Sequence, residues 1–372
     1  MHLETLAVHA GRPTEASNAV TPDIVLSTTF ERNTNGEVPS GYKYGRYDNP
    51  NRRALETRLA ALEGGAAAVA FSAGVAAAAG VLSTLQPGQR VLAALDIFYG
   101  TRHLMTGEFG RWGLGVDFAD FTDLDAVRRA MRPETALLFV ETPSNPLIQI
   151  TDIAGLAQIA HAGGARLAVD NTFATPILQN PLALDADYAV HSSSKFFGGH
   201  TDIVGGCVIA ARDDADTTRI REHQTTAGAV PSPFDCWLLS RSLATLPLRV
   251  RAQTATAQCI AEFLAAHRAI RKVNYPGLPD DPGHALAARQ MHDGFGAMLS
   301  FHVAGGRAPA LAFVSRLQLF TRATSLGGVE SLIEHRASSE GPDSKTPQDL
   351  IRASIGIEHA DDLIADLEQA LT

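Results

Sequence analysis

Cysteine is scarce in this chain: three in 372 residues, at Cys207, Cys236 and Cys259. They form no CxxC pair and have no histidine at zinc-ligand spacing. A disulfide framework and a structural zinc site are therefore not expected, no other metal centre is expected either, and a reducing compartment fits best. The three thiols are read as core groups. Aromatic residues are also few, at 6%. There is no excess of positive charge: 31 Lys and Arg stand against 40 Asp and Glu, a net charge of −9. Nucleic acids and anionic membranes both demand clustered Lys and Arg, so neither is expected as a partner. A small anionic ligand is not excluded, because a local pocket can be cationic on an acidic protein. No window reaches the ~18 uninterrupted apolar residues of a membrane span. The start, MHLETLAVHAGRP, has neither the basic stretch nor the apolar run of a signal peptide. The expected location is the cytoplasm.

Hydrophobic residues make up 45% of the chain, as in ordinary globular proteins, and the length allows a large buried core. Residues 1–47 are rich in Thr, Ser, Gly, Asn and Pro and read as an extended arm with turns. From Asn51 the pattern changes. Leu55, Leu59 and Leu62 fall at i, i+4 and i+7, which predicts an amphipathic helix closed by Gly64-Gly65. Short apolar runs then alternate with helical stretches. AAVAF, RVLAAL, ALLFVE, RLAVD, YAVHS and GCVIA read as buried strands, with LDAVRRAM and IAGLAQIAHAGG as helices between them. That alternation predicts an α/β fold with a mostly parallel sheet covered on both faces. Beyond Pro231 a long helical stretch, Phe234 to His267, is interrupted at Pro247. It leads to a smaller α+β unit with strands in AMLSFHV and LQLFT and a final helix ADDLIADLEQAL. The expected organisation is an arm (1–47), an α/β domain (48–243) and a C-terminal α+β domain (244–372).

In α/β sheets, ligands sit outside the carboxyl ends of the strands. FSAG, with Gly74 opening a helix, offers backbone N–H groups and a positive dipole end to an anion, though glycines begin many helices. Asp170 ends the run RLAVD; a buried carboxylate needs a cationic or hydrogen-bonding partner, and a helix cap or a structural pair is the plain reading. Asn145 lies in the Pro-rich turn ETPSNP, where turn chemistry explains it as well as a ligand does. Lys195 follows three serines at a strand end, in YAVHSSSKFFGGH. Its apolar flanks make a poorly solvated amine, and desolvation lowers an amine's pKa and makes it nucleophilic. The GGH turn lacks the spacing of a nucleotide-binding P-loop.

These pieces occur in an order that resembles the cystathionine γ-synthase / γ-lyase family of pyridoxal-phosphate (PLP) enzymes of Cys/Met metabolism. YGRYDNP, SAG, ETPSNP, VDNTF, SSSKFFGGHTD, SLGGVESL and GIE follow one another along the chain. The resemblance extends from TLAVHAGR to SIGIEHADDLIADLEQAL. It implies the aminotransferase-like fold type I, with PLP held covalently by Lys195 and Asp170 paired with the pyridine nitrogen. It also implies that Tyr99 stacks on the ring and serves in acid/base steps, and that Asn145 faces the ring's O3′. Gly74, Val75, Ser192 and Ser194 would hold the phosphate. Arg352 would grip the substrate carboxylate with Ser325 beside it. Tyr44 and Arg46, otherwise read as surface-loop residues, would reach the phosphate of a neighbouring subunit in a homotetramer built as a dimer of dimers.

Three departures from the family pattern bear on the reaction. Thr324 stands where many relatives have a Glu that can meet cystathionine's distal ammonium. Thr101 stands where methionine γ-lyases carry Cys. The segment EHRASSEGPDSKTPQDL is shorter than the usual loop before Arg352. The first expectation is a carbon–sulfur lyase performing α,γ-elimination on cystathionine or a related homocysteine thioether. Its products would be a thiol such as cysteine, 2-oxobutanoate and ammonia. Next come γ-replacement on an O-acylhomoserine, then cystathionine β-lyase or methionine γ-lyase chemistry. The joint presence of Lys195, Asp170, Tyr99 and Arg352 argues against a binding protein without catalysis.

Overall fold

A computed structural model describes residues 1–12, 19–340 and 346–372. Seven strands form the larger sheet: β1 (Ala67–Phe71), β2 (Arg90–Ala94), β3 (Gly115–Ala119), β4 (Thr135–Glu141), β5 (Arg166–Asp170), β6 (Tyr188–His191) and β7 (Gly206–Ala210). Their order in space is β1-β7-β6-β5-β4-β2-β3. Only β7 runs antiparallel to its neighbours, β1 and β6. The rest of the sheet is parallel, as the near-continuous apolar strands predict.

Each face of this sheet is covered by a helix. In Pro50–Glu63, Leu55, Leu59 and Leu62 are each 1% exposed and pack against Ala68, Ala70, Cys207 and Ile209. Burying a leucine contributes about 1.5–3 kcal/mol, so this stripe holds the helix in place. Gly64, in the left-handed region at φ 73°, ends it. Helix Gly74–Leu82 covers the other face against Val69, Phe71 and Val208. The residues of β1 and β7 therefore alternate between two cores.

The second sheet contains β8 (Ile270–Asn274), β9 (Met298–Val303), β10 (Thr321–Arg322), β11 (Leu332–His335) and β12 (Leu350–Ser354), in the order β10-β11-β12-β9-β8. Helices Pro233–Leu243 and Leu246–Ala266 lead into it, with Pro247 in the first turn of the second helix. Among the described residues no helix is long and apolar enough to cross a membrane.

Four local expectations are corrected. LQLFT pairs as a strand only at Thr321. The amides of Gln318, Leu319 and Phe320 donate to the Asp366 carboxylate and so are not available to a ladder. The strand β3 (GVDFA) was not anticipated, because Gly115 and Asp117 interrupt its apolar pattern; Asp117 is paired with Arg90 at 2.6 Å. The arm is not wholly extended: Leu3–His9 is a helix with Ala7 fully buried. Cys207 and Cys236 are core thiols, but Cys259 is exposed on the long helix.

Candidate active site

The parallel strands end at one edge of the large sheet, and a cavity of about 410 Å³ opens there. Glu141 ends β4, Asp170 ends β5, and the turn after β6 brings Ser192 and Lys195 to the same edge. From the second sheet come Arg352 of β12 and the Thr324-Ser325 segment. One sheet thus supplies a lysine and two carboxylates, the other a guanidinium.

Lys195 sits in a tight turn. Its N–H donates to the Ser192 carbonyl at 3.2 Å, and its own carbonyl accepts from Gly199 at 2.7 Å. Arg249 braces this turn from the helix Leu246–Ala266, donating to the Phe196 carbonyl at 2.7 Å. Burial lowers the pKa of Arg249 to about 10. The Lys195 Nζ donates to Ser325 Oγ at 2.8 Å. Burial, and secondly the charge of Arg352, lower the lysine's pKa, while Glu334 opposes them. A larger share of neutral amine results, which is the nucleophilic form.

Ser325 holds φ at 87°, where a residue with a side chain is strained. In that conformation its hydroxyl meets Lys195 while its carbonyl accepts from Arg352 at 3.0 Å. Arg352 is 4% exposed and also donates to Asn145 Oδ1 at 2.8 Å and pairs with Glu334. These contacts fix the orientation of its planar fork.

Glu141 and Asp170 are register partners on β4 and β5, so their side chains project from the same face. Burial raises the pKa of both carboxyls, that of Glu141 well above its ordinary value, and Asp170 adds to the rise at Glu141. Glu141 accepts the Phe98 N–H at 3.0 Å, and Asp170 accepts the Thr172 N–H at 3.0 Å. At Gly74, which opens a nine-residue helix, an added Cβ would lie 2.9 Å from the Ser192 Cβ. Glycine thus brings the helix's free N–H groups close to the serine, as an anion cradle requires. A poorly solvated amine, a strand-end carboxylate and this cradle fit PLP.

Of the residues singled out in the sequence, Gly74, Val75, Asn145, Asp170, Ser192, Lys195, Ser325 and Arg352 line the cavity. Ser194 does not line it; its hydroxyl exchanges hydrogen bonds with Gly205 instead, at 2.9 and 3.2 Å. Tyr99 does not line it either. It is 71% exposed and its ring stacks on His103. Two other aromatics line the cavity, Phe173 and the neighbour Phe98, which is anchored through its N–H on Glu141, with its ring folded so closely over Gly100 that a Cβ there would be 2.6 Å away. Tyr44 and Arg46 lie outside the cavity of their own chain. Arg46 donates to the Thr225 carbonyl at 2.8 Å, and its guanidinium carbon is 4.6 Å from the Tyr47 ring centre.

Glu141, Phe98, Arg249 and Arg336 were not recognised in the sequence. Glu141 had a usable signal, an acid at the end of the apolar strand ALLFVE; an arginine within a helical heptad or after a strand has none. Residues 341–345 of the shortened segment lie outside the described residues.

The chain is 46% identical over 374 residues to a cystathionine gamma-synthase of Mycobacterium tuberculosis, covering 99% of this chain and 96% of that protein. It is 41% identical over 380 residues to a cystathionine beta-lyase of Lactococcus lactis, covering 99% and 98%. The crystal structure of the cystathione gamma lyase CalE6 of Micromonospora echinospora superposes with a TM-score of 0.95 at 43% identity, covering 100% of this chain and 99% of that one. The Cys/Met metabolism PLP-dependent enzyme family matches residues 4–372. With that match along nearly its whole length, and a lysine, a carboxylate and an anion cradle meeting in one cavity, the chain belongs to the family of Cys/Met metabolism PLP-dependent enzymes.

Proposed function

We propose that this chain acts at the γ-carbon of a homoserine- or homocysteine-derived amino acid, with γ-replacement on an O-acylhomoserine as its favoured reaction. The observation that carries the reading is the 2.8 Å contact between Lys195 Nζ and Ser325 Oγ, in the cavity that Arg352 and Asp170 also line. That contact supports reading Lys195 as the proton-transferring amine and Arg352 as the carboxylate grip beside it.

When bound, PLP supplies the electron sink that a deprotonated α-carbon needs. Lys195 is the residue to hold it, with Asp170 at its ring nitrogen and Gly74 and Ser192 at its phosphate. Phe98 is proposed as the aromatic against its ring. Arg352 takes the substrate α-carboxylate as a two-pronged donor, oriented by Asn145 and the Ser325 carbonyl. The neutral share of Lys195 accepts the proton from the substrate α-carbon, and Ser325 keeps the amine pointed at it. Tyr44 and Arg46 lie outside their own chain's cavity, which supports placing them at a neighbouring subunit's phosphate, in a homotetramer.

α,γ-Elimination from cystathionine, the first expectation, uses the same machinery and is the second reading. Thr324 gives cystathionine's distal ammonium no carboxylate. The carboxylates lining the cavity, Glu141 and Asp170, stand instead at the strand ends. The test is product analysis of the PLP-loaded enzyme with O-acylhomoserines and with cystathionine, each with and without a thiol. Formation of the thioether from ester and thiol supports the proposal; turnover of cystathionine alone refutes it. Borohydride reduction followed by peptide mapping should place the pyridoxyl group on Lys195.

A further inference from the structure

A second cavity, of about 400 Å³, lies away from the strand ends, where the N-terminal arm packs on helices Pro50–Glu63 and Pro233–Leu243. Three arginines line it: Arg58 from the first helix, Arg241 from the second and Arg12 from the arm. Arg58 is 7% exposed. Its Nε donates to the Ala10 carbonyl at 2.7 Å, its Nη1 to the Ser240 carbonyl and its Nη2 to the Val8 carbonyl at 3.4 Å. These neutral acceptors take three of a guanidinium's five N–H donors but supply no opposite charge. Burial, and secondly the like charge of Arg12, lower the pKa of Arg58, and no acid opposes them. Gly11, at φ 63°, lets the arm carry Arg12 this close: a Cβ there would lie 2.0 Å from the Ala54 carbonyl. Arg12 itself donates to the Val20 carbonyl at 2.7 Å. Among the described residues no carboxylate lines the cavity or pairs with these arginines.

We infer that this cavity is a second binding site, for a small organic acid that carries a carboxylate and no ammonium. A buried charge in a protein ordinarily has a partner, and among the described residues Arg58 has none of opposite sign. A carboxylate entering the cavity meets the remaining N–H donors of Arg58, with the exposed Arg12 and Arg241 adding attraction at the rim. Much of the remaining wall is apolar, from Val8, Val20, Pro22, Ala54 and Trp237, which suits a short hydrocarbon body behind the carboxylate. An ammonium would face three cations and no acid, so free amino acids are selected against. The ligand class is therefore distinct from the amino-acid substrate of the catalytic cavity. Arg58 already ties the arm, at Val8 and Ala10, to Ser240, and the Trp237 indole donates to the Pro22 carbonyl at 2.9 Å. A bound anion thus also stabilises the junction between arm and domain.

Trp237 makes the site readable, because the chain has one other tryptophan, Trp112. The test is a fluorescence titration of the PLP-loaded, borohydride-reduced Trp112→Phe enzyme, in which amino acids can no longer react at the catalytic site. The probes, at constant ionic strength, are pentanoate, pentan-1-ol, L-norvaline and inorganic phosphate. Pentanoate should change the Trp237 emission saturably, with half-saturation below about 10 mM, within reach of so small a ligand. The alcohol lacks the charge and norvaline adds an ammonium, so each should bind at least about tenfold more weakly. Arg58→Met should weaken pentanoate at least about tenfold, as for loss of a hydrogen bond to a charged group. Because Arg58 also holds the arm, the double variant Arg12→Met, Arg241→Met is the second measurement. It alters only the exposed rim and should weaken pentanoate about two- to fivefold. No saturable change with pentanoate, equal affinity for pentan-1-ol or norvaline, tighter binding of phosphate, or unchanged affinity in the rim variant each overturns the assignment.

Discussion

Replacing Arg352 with lysine isolates geometry from charge. The guanidinium of Arg352 donates to Asn145 Oδ1 and to the Ser325 carbonyl and pairs with Glu334, so its plane is fixed from three sides. A carboxylate meeting that fork receives two parallel N–H donors; a lysine ammonium offers one point charge on a shorter reach. The variant loses at least one charge-assisted hydrogen bond to substrate, worth about 1.5–3 kcal/mol. That corresponds to a rise of about ten- to a hundredfold in KM. The proposed grip would act on the substrate both before and during the chemistry, so kcat should fall much less than kcat/KM. Folding should change little, because Glu334 keeps Arg336 and Ser339 as partners. The assay is initial rates against amino-acid concentration for at least two substrates differing in their leaving group, with unfolding midpoints as the control. An unchanged KM for both substrates would show that Arg352 is structural and that the carboxylate is held elsewhere.

Asp170→Asn removes the group proposed to keep the ring nitrogen protonated while leaving Lys195 and the phosphate cradle intact. Turnover should drop by at least about a hundredfold, as for loss of one strong electrostatic stabiliser, with the cofactor absorbance retained; near-native turnover contradicts the role. At Glu141 the folded pKa is raised by burial and by Asp170. Such a group adds stability below its unfolded value of 4.5 and loses it as pH rises through the folded value. Glu141→Gln has no such loss, so its stability advantage should widen between pH 5 and pH 8 in urea unfolding; a difference independent of pH rejects the raised value. Arg46→Ala should weaken PLP retention by about 1.5–3 kcal/mol. Mixing it with Lys195→Ala should return activity towards about a quarter of native, since random exchange makes some dimers with one intact site. Demonstrated exchange without recovery means that the arm does not complete a neighbour's site.

The residues proposed to carry the chemistry were legible in the sequence where their signal is local. Lys195 stands out because serines, glycines and apolar flanks lie within a few positions of it, and Asp170 because it ends an uninterrupted strand. The strands β1, β5 and β7 follow from their apolar runs, and the helix Pro50–Glu63 from three leucines at helical spacing and the glycine after it. Each of these is set by interactions among near neighbours in the chain.

Other features depend on partners distant in sequence. Whether Phe98 or Tyr99 faces the cavity is decided by an N–H bond to Glu141, 43 residues away, and neighbouring aromatics give no local sign of it. LQLFT has a strand's composition, yet Asp366 in the last helix takes its amides. Arg249 reads as one polar residue in a long helix until folding sets it against the Phe196 carbonyl. Arg336 gains its meaning only when β11 and β12 pair and bring it beside Arg352 in the cavity wall. Backbone periodicity and turn chemistry are short-range and are written in the sequence directly. The direction of a side chain, and the charge it meets, arise from long-range packing and so had to come from the tertiary structure.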